Sequence, residues 1–490
     1  MTTQGQDLPV VILGAGPAGL TAAYELSSNG VPSVVIEQDS MVGGLARTVE
    51  YKGYLFDIGG HRFYTKIPLI ENIWREVLGA DLLVRERLSR IYYRSHFFQY
   101  PLEPLDVVKG LGIGEVLRCG ASFAKAKLVP QYPEESFEKW ICNRFGHRLY
   151  DIFFRAYTEK VWGIPCDQIS AEWAAQRIRG LTLSSVVKDA FGQTSKEGAI
   201  KTLIRQFLYP RRGPGMMWSR MSEILESRGV TVELNAPVEE IHHSKGRFKI
   251  RAGGRWWAAG QVISTLPIRN LFTLLSPQLP EPACVAASSL QYRDFIVVAL
   301  MLKRSHLFPD NWIYVHDPSV MVGRIQNYGN WSPEMTPDPE MTCLGLEYFC
   351  REGDGLWSMT DLELTGLARR EIALLGLADA DSVTDAKVIR VPKAYPVYDA
   401  GYRDRLDIVR EHLRDLPNLH LAGRNGMHRY NNQDHSMLTG ILAARNIMGA
   451  SYDLWDLSID SGYLEEGPGL TASQIDSLQA SQPAVPNQVR

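Results

Sequence analysis

The sequence predicts an α/β chain in which a Rossmann-like dinucleotide-binding domain carries an inserted helical domain and a mixed, mainly antiparallel β-sheet domain. Three observations predict it. An apolar β-branched run, Val10 to Leu13, enters a turn whose glycines, Gly14, Gly16 and Gly19, have GxGxxG spacing. From about Leu105 to Val187 the apolar spacing is helical, with breaks at Pro130, Pro133 and Pro165. From about Gln291 to Val391 apolar runs of strand length dominate, interrupted by one helical segment, Asp361 to Leu375. At 490 residues the chain is too long for one simple core. We divide it into a discontinuous dinucleotide-binding domain (1–100, 200–285 and 391–450), a helical domain (101–199), a β-sheet domain (286–390) and a C-terminal extension (451–490). From about residue 465 the extension turns to Ser, Gln, Pro, Ala and Gly, a composition that predicts disorder.

The first βαβ unit is the most informative stretch. After the glycine turn comes a helix-like segment, Leu20 to Ser28, and a second apolar run, Val34 to Ile36. Gly14 permits the turn, Gly16 lets the backbone approach a pyrophosphate, and Gly19 lets helix and strand pack closely, with the helix N-terminus facing the phosphate charge. Glu37 ends the second strand 18 residues after Gly19, where a carboxylate can accept a ribose hydroxyl. The doublet Gly43-Gly44 followed by Arg47 argues for FAD over NAD, because a second glycine turn with a cation suits a tightly held flavin dinucleotide.

Thr48 to Asp57 reads as a hairpin leading into Gly59-Gly60-His61. Paired glycines permit close backbone approach to a flat ligand, so His61 either faces a flavin ring or satisfies the loop. Four arginines between Arg85 and Arg94 read as a solvated strand face, with one of them available to serve a phosphate. Within the helical region, periodicity alone makes Phe153, Tyr157 and Trp162 core residues. Gly213 to Trp218 reads as a loop opening a helix, Ser219 to Arg228; short strands follow, and Gln261 to Thr265 returns to the nucleotide-binding sheet. Leu419 to Gly423 is a last apolar strand and Met437 to Met448 a helix with small residues at Gly440, Ala443 and Ala444. The polar loop between them, Arg424 to Asp434, is a second backbone approach to the cofactor.

Composition excludes other classes. A net charge of −3 with interspersed signs gives no basic stripe for nucleic acid. The six cysteines are scattered, with no CxxC pair, so we expect neither a metal site nor a disulfide framework but thiols in a reducing compartment. The N-terminus lacks a secretory pattern, and no apolar run approaches the roughly 20 residues of a spanning helix, so a cytoplasmic protein without a membrane partner is expected.

An N-terminal FAD unit closed by a C-terminal strand, loop and helix resembles the glutathione reductase-like flavoproteins, which include amine oxidases, protoporphyrinogen oxidases and UDP-galactopyranose mutases. Local motifs from about Val10 to Met448 look specifically like the mutases. Gly146, Leu149, Tyr150, Phe153, Tyr157, Thr158, Lys160, Trp162 and Gly163 are similar to the mutase helical segment that carries substrate-contacting aromatic residues. Phe98-Gln99-Tyr100-Pro101 resembles a substrate-contacting Phe-Asn-x-Pro element with Gln for Asn. Arg177 and Arg324 match two arginines that bind the nucleotide diphosphate, and Tyr395 the tyrosine of a Tyr-Tyr-Pro element. Gly423, Arg424, Gly426, Arg429 and Tyr430 match the flavin-proximal Gly-Arg-x-Gly-x-x-Arg-Tyr in full. The chain departs at Asn431-Asn432-Gln433-Asp434, where the mutases carry Leu-Asp-Met-Asp, and at His428, where they carry tyrosine; both changes are expected beside the sugar and flavin.

The resemblance implies a mutase that interconverts pyranose and furanose forms of a nucleotide hexose. Reduced FAD acts through N5 as a nucleophile at the anomeric carbon, with no net redox, and NAD(P)H or another reductant supplies the electrons. Arg177 and Arg324 hold the departing diphosphate, Tyr395 and Tyr430 add hydrogen bonds, and His61 works near N5. Gln99, Tyr157, Thr158, Trp162 and Asn432 contact substrate; Gly60, Asn431 and Gln433 join the cofactor set. The alternative is an FAD-dependent oxidase or desaturase of the amine oxidase or protoporphyrinogen oxidase type. The oligomeric state stays open, a homodimer included.

Overall fold

The computed structural model describes residues 8–100, 102–171, 174, 206–455 and 457. Arg177 and the extension from residue 458 lie outside them.

A parallel sheet of five strands forms the half that carries the glycine motif, in the order Leu419–Leu421, Val262–Ser264, Val10–Leu13, Ser33–Ile36, Thr231–Glu233. Val10–Leu13 lies at its centre, buried at every residue, which is why it reads as an unbroken apolar run. The first helix spans Pro17–Ser28, three residues earlier than the apolar pattern placed it, with Pro17 at its first position. Helix Gln433–Ile447 crosses it so closely that a Cβ on Gly440 would stand 2.2 Å from the Ala18 carbonyl oxygen. The small residues of the last helix therefore pack helix on helix. The 213–218 stretch is also shorter as a loop than expected: the helix it opens starts at Gly215 and runs to Ser227.

The second half is built on a seven-stranded sheet in the order Val383–Pro396, Tyr292–Leu302, Thr342–Cys350, Arg324–Asn327, Trp312–Val315, Ser89–Tyr93, His96–Gln99. All pairings are antiparallel except Trp312–Val315 with Ser89–Tyr93. Strand Tyr292–Leu302, second in that order, is buried throughout. Strand alternation sends Phe295 and Val297 toward the helical segment and Ile296, Val298 and Leu300 toward helix Asp361–Leu374. Two sequence expectations are corrected here. The hairpin 89–99, grouped above with residues 1–100, hydrogen-bonds into this sheet rather than the parallel one. Three of its neighbouring arginines are not solvated: Arg85 donates to the Trp331 carbonyl, Arg90 pairs with the fully buried Asp310 at 2.5 Å, and Arg87 lies between the rings of Tyr100 and Trp312. Apolar and aromatic partners from residues 310–331 cover that face, which local sequence does not reveal.

The helical region consists of Pro104–Leu111, Ile113–Leu128, Phe137–Phe145, His147–Tyr150 and Ala156–Trp162. Between the last two, Asp151–Arg155 winds as a π-turn. Such a turn re-aims the side chains that follow it, here those of Ala156–Trp162. Lys160 clamps this last helix to the sheet: its ammonium donates to the carbonyls of Val315, Asp317 and Val322 at 3.3, 2.6 and 3.3 Å.

Candidate active site

One cavity of about 840 Å³ lies between the parallel sheet, the seven-stranded sheet and helix Ala156–Trp162. Its nucleotide end is glycine-walled. Gly14 has φ +103°, and a Cβ on it would stand 2.2 Å from the Thr265 hydroxyl. Gly44, at φ +51°, and Gly16 face each other, a Cβ on Gly44 falling 3.1 Å from the Gly16 Cα. Bare backbone from two loops thus lines this end of the cavity, leaving the close approach that a pyrophosphate needs. Gly19 does not line it; a Cβ there would meet the Gly14 carbonyl at 1.9 Å, so it serves helix–strand packing as the motif predicts. Glu37 accepts from the amides of Ala15 (2.7 Å) and Asp39 (3.0 Å), and burial raises its pKa despite these bonds. Its carboxylate keeps lone pairs toward the cavity for a ribose hydroxyl. Arg47 pairs with Asp39 at 2.5 Å while its Nε is buried without a protein partner.

The C-terminal loop closes the other side. Gly423 donates to the Thr439 hydroxyl, a Cβ on Gly426 would meet the Ser264 carbonyl oxygen at 2.7 Å, and helix Gln433–Ile447 points its N-terminus at the cavity. Buried there without protein partners are Asn431 Nδ2, Gln433 Oε1 and Asp434 Oδ2. These orphaned groups beside a helix N-terminus and a glycine cradle fit a dinucleotide that completes their hydrogen bonding. Arg424 is spent differently from a phosphate ligand: it donates to the carbonyls of Asn431 and Ala394 and lies over the rings of Tyr430 (4.7 Å) and Tyr395 (5.4 Å).

Between these ends stands His61. Burial, then the charges of Arg424 and Arg324, push its pKa down to about 3, so it is a neutral imidazole with Nδ1 unpartnered. Gly59 packs against the imidazole and Gly60 against Arg324: a Cβ on Gly59 would stand 3.1 Å from the His61 ring and one on Gly60 3.6 Å from that guanidinium.

The remaining wall is aromatic and polar. Tyr395 and Tyr430 stack at 5.5 Å and 11°. Burial pushes the Tyr395 phenol up to about 12. Tyr157 stacks on His316 at 4.7 Å and meets Tyr314 edge-on. Thr158 and Trp162 line the same wall from the same helix face. Tyr157, Thr158 and Trp162 line the cavity, which corrects the core assignment that periodicity alone gives for Tyr157; Trp162 and Phe153 keep the core burial that periodicity gives and also reach the wall. Arg324 donates through Nε (2.9 Å) and Nη2 (2.5 Å) to one oxygen of Glu347, whose other oxygen accepts from Gln326 at 2.5 Å. Glu347 is fully buried. Arg324 is thus aimed by a buried carboxylate that also offsets its charge.

Gly14, Gly16, Glu37, Gly44, Arg47, Gly60, His61, Tyr157, Thr158, Trp162, Arg324, Tyr395, Gly423, Arg424, Tyr430, Asn431, Asn432 and Gln433 all line this one cavity. Gln99 does not. Phe98 points into the core, so the alternation of the strand turns Gln99 outward, and Tyr100 faces the cavity instead. His428 also lies off the cavity, buried under the loop against Tyr292, so its substitution for tyrosine bears on loop packing rather than on the sugar. Sequence reasoning missed Arg62, Trp312, Tyr314, His316, Lys393 and, behind Arg324, Glu347. A signal for Glu347 existed: it is the one charge in the apolar run Thr342–Cys350, and a carboxylate is buried only with partners. Lys393 adopts φ +51°, unusual for a side chain of its kind, and nothing local announces it.

The fold and the glycine cradle define a dinucleotide flavoprotein. The chain belongs to the flavin containing amine oxidoreductase family, which it matches over residues 17–448. FAD is its cofactor. Coproporphyrinogen III oxidase of Staphylococcus aureus is 20% identical over 447 residues, covering 84% of this chain and 94% of that protein. A 4,4'-diapophytoene desaturase of the same organism is 22% identical over 268 residues, 48% of this chain and 49% of that protein. Reduced UDP-galactopyranose mutase superposes with a TM-score of 0.80 at 22% identity, covering 94% of this chain and all of that one, a likeness of fold. Among the described residues no helix is long and apolar enough to cross a membrane.

Proposed function

We propose that this flavoprotein is a nucleotide-sugar mutase acting on a nucleoside diphosphate hexose. The observation that carries the reading is that Tyr157, Tyr314, Tyr395 and Tyr430 line the same cavity as Arg324, itself fixed by buried Glu347. Phenol hydroxyls and a guanidinium suit a polar substrate with a diphosphate, to which they can hydrogen-bond, whereas an extended hydrocarbon offers them no acceptor. FAD, when bound and reduced, supplies a nucleophilic ring nitrogen for the anomeric carbon. The chain's own residues do the rest. Arg324 offers its remaining N–H groups to the departing diphosphate, and Arg62 and Lys393 add positive charge from the same cavity. Glu347 keeps the Arg324 fork from rotating. His61, neutral, offers the cavity a hydrogen-bonding nitrogen without adding to the positive charge of Arg324 and Arg424 beside it. Tyr157, stacked on His316, and Trp162 give flat surfaces to base or sugar. Arg177, the second arginine of the resemblance, belongs to this proposal from outside the described residues.

The second reading is an oxidase or desaturase, favoured by the coproporphyrinogen III oxidase likeness across 84% of the chain. One experiment separates the two. Purified yellow protein is incubated with a panel of nucleotide hexoses with and without dithionite. A mutase converts substrate only when reduced and leaves its mass unchanged; product lighter by two hydrogens with peroxide release, or no conversion of any nucleotide hexose by the reduced protein, overturns the mutase reading.

A further inference from the structure

Away from the cavity, the outer side of the helical segment carries a second cluster of donors. Helix Phe137–Phe145 places Glu138 and Cys142 one turn apart, then stops at Gly146, whose φ of +81° swings the chain into the next turn, His147–Tyr150. The kink returns His147 over the preceding helix, so that a Glu138 carboxylate oxygen, the Cys142 sulfur and a His147 ring nitrogen lie within 4.8 Å of one another. Asp151, one turn further, accepts from His147 Nδ1 at 3.0 Å. That bond leaves Nε2 to face the Glu138 carboxylate at 3.8 Å, too long for a hydrogen bond. A carboxylate oxygen, a ring nitrogen and a thiol sulfur thus converge on one point, three atoms of the kind that a cation between them would join.

We propose that Glu138, Cys142 and His147 bind a divalent transition-metal ion of the zinc class, with Asp151 as the positioning residue for the imidazole. Mixed sulfur, nitrogen and oxygen donors are what zinc takes, and a carboxylate on the far nitrogen of a ligating histidine is the usual outer partner. The edges of a tetrahedral zinc site are about 3.5 Å, so modest rotations of Glu138 and His147, both reachable from solvent, close the cluster. Cys142 is buried and enters as thiolate, its proton passing to solvent as the sulfur–metal bond forms. Water takes the fourth position on the open side. The ion would fasten the kink immediately before the π-turn Asp151–Arg155, and so stiffen the start of the helix that presents Tyr157, Thr158 and Trp162 to the cavity.

The test uses tag-free, flavin-loaded protein dialysed against micromolar Zn²⁺ and counted for metal. Wild type is expected to retain one zinc per chain, His147→Gln and Cys142→Ser to lose it, and Asp151→Asn to bind about 10- to 100-fold more weakly. Cobalt in place of zinc is expected to give a thiolate charge-transfer band in the difference spectrum that Cys142→Ser abolishes. His147 is exposed, so His147→Gln keeps its fold and its flavin spectrum even where Cys142→Ser does not. No zinc in wild type above the His147→Gln level, or a cobalt spectrum lacking the thiolate band, overturns the site.

Discussion

Arg324 shows how one side chain is committed before any ligand arrives. Its Nε and Nη2 are bound to Glu347, and the pair sits in a region closed to water on the Glu347 side. A charged hydrogen bond to a diphosphate contributes about 1.5–3 kcal/mol. We therefore expect Arg324→Ala to slow turnover of the reduced enzyme by roughly tenfold to a hundredfold while the flavin absorbance per chain stays unchanged. Full activity would remove Arg324 from the mechanism. Glu347→Gln acts through stability instead: it strands a guanidinium beside a neutral amide, and breaking a buried pair from one side costs about 3–5 kcal/mol. Chemical denaturation reads that loss, and a wild-type midpoint would mean that something other than Glu347 holds Arg324.

At the scale of the element, helix Ala156–Trp162 is short and cannot be stable alone; its position comes from the π-turn before it and the Lys160 clamp within it. The ammonium has three protons and three carbonyl acceptors, and burial still pushes its pKa down to about 8. Lys160→Met keeps the aliphatic stem but leaves those carbonyls without their donor. The expected result is a loss of about 1–3 kcal/mol of stability together with a raised KM, because Tyr157, Thr158 and Trp162 ride on the same helix. An unchanged KM in steady-state kinetics would show that the wall does not depend on the clamp.

For the whole molecule, acid is the natural stress. His61 and His316 are held down to about 3, and His420 and His428 to about 4, in each case chiefly by burial. Between about pH 4 and 6.5 the unfolded chain binds protons at these four sites that the folded chain refuses, so stability falls as pH falls through that window. Asp57 works the other way: burial raises it to about 7, so it stays protonated in the fold where the unfolded chain would release the proton. Four histidines outweigh one aspartate. Unfolding near pH 5 should take up about three protons, with a stability slope of roughly 4 kcal/mol per pH unit at its steepest. Calorimetry in buffers of different ionisation enthalpy measures the uptake directly, and a Tm that stays flat from pH 6.5 to 5 would contradict it.

By itself the sequence determined the cofactor half. A continuous apolar strand, glycines at fixed offsets and an acid at the end of the second strand are local statements, since each follows from backbone sterics and short-range packing; Gly14 makes the turn and Gly19 the close packing that their spacing predicts, and Gly16 and Glu37 line the cavity. The strands of the β region were also legible, because alternation and burial leave a mark on composition. What local sequence could not carry is which side of a half-buried element meets a cavity and which meets solvent. Gln99 and Tyr100 are neighbours with opposite fates, Arg87 is roofed by rings from distant residues, and the hairpin 89–99 pairs with a strand more than 200 residues away. Glu347 under Arg324, and Glu138, Cys142 and His147 around one point, exist as groups only once strands and helices far apart in the chain, or a helix and the kink after it, are set in register. Those juxtapositions cost chain entropy that only the packed whole repays, so tertiary structure decided them.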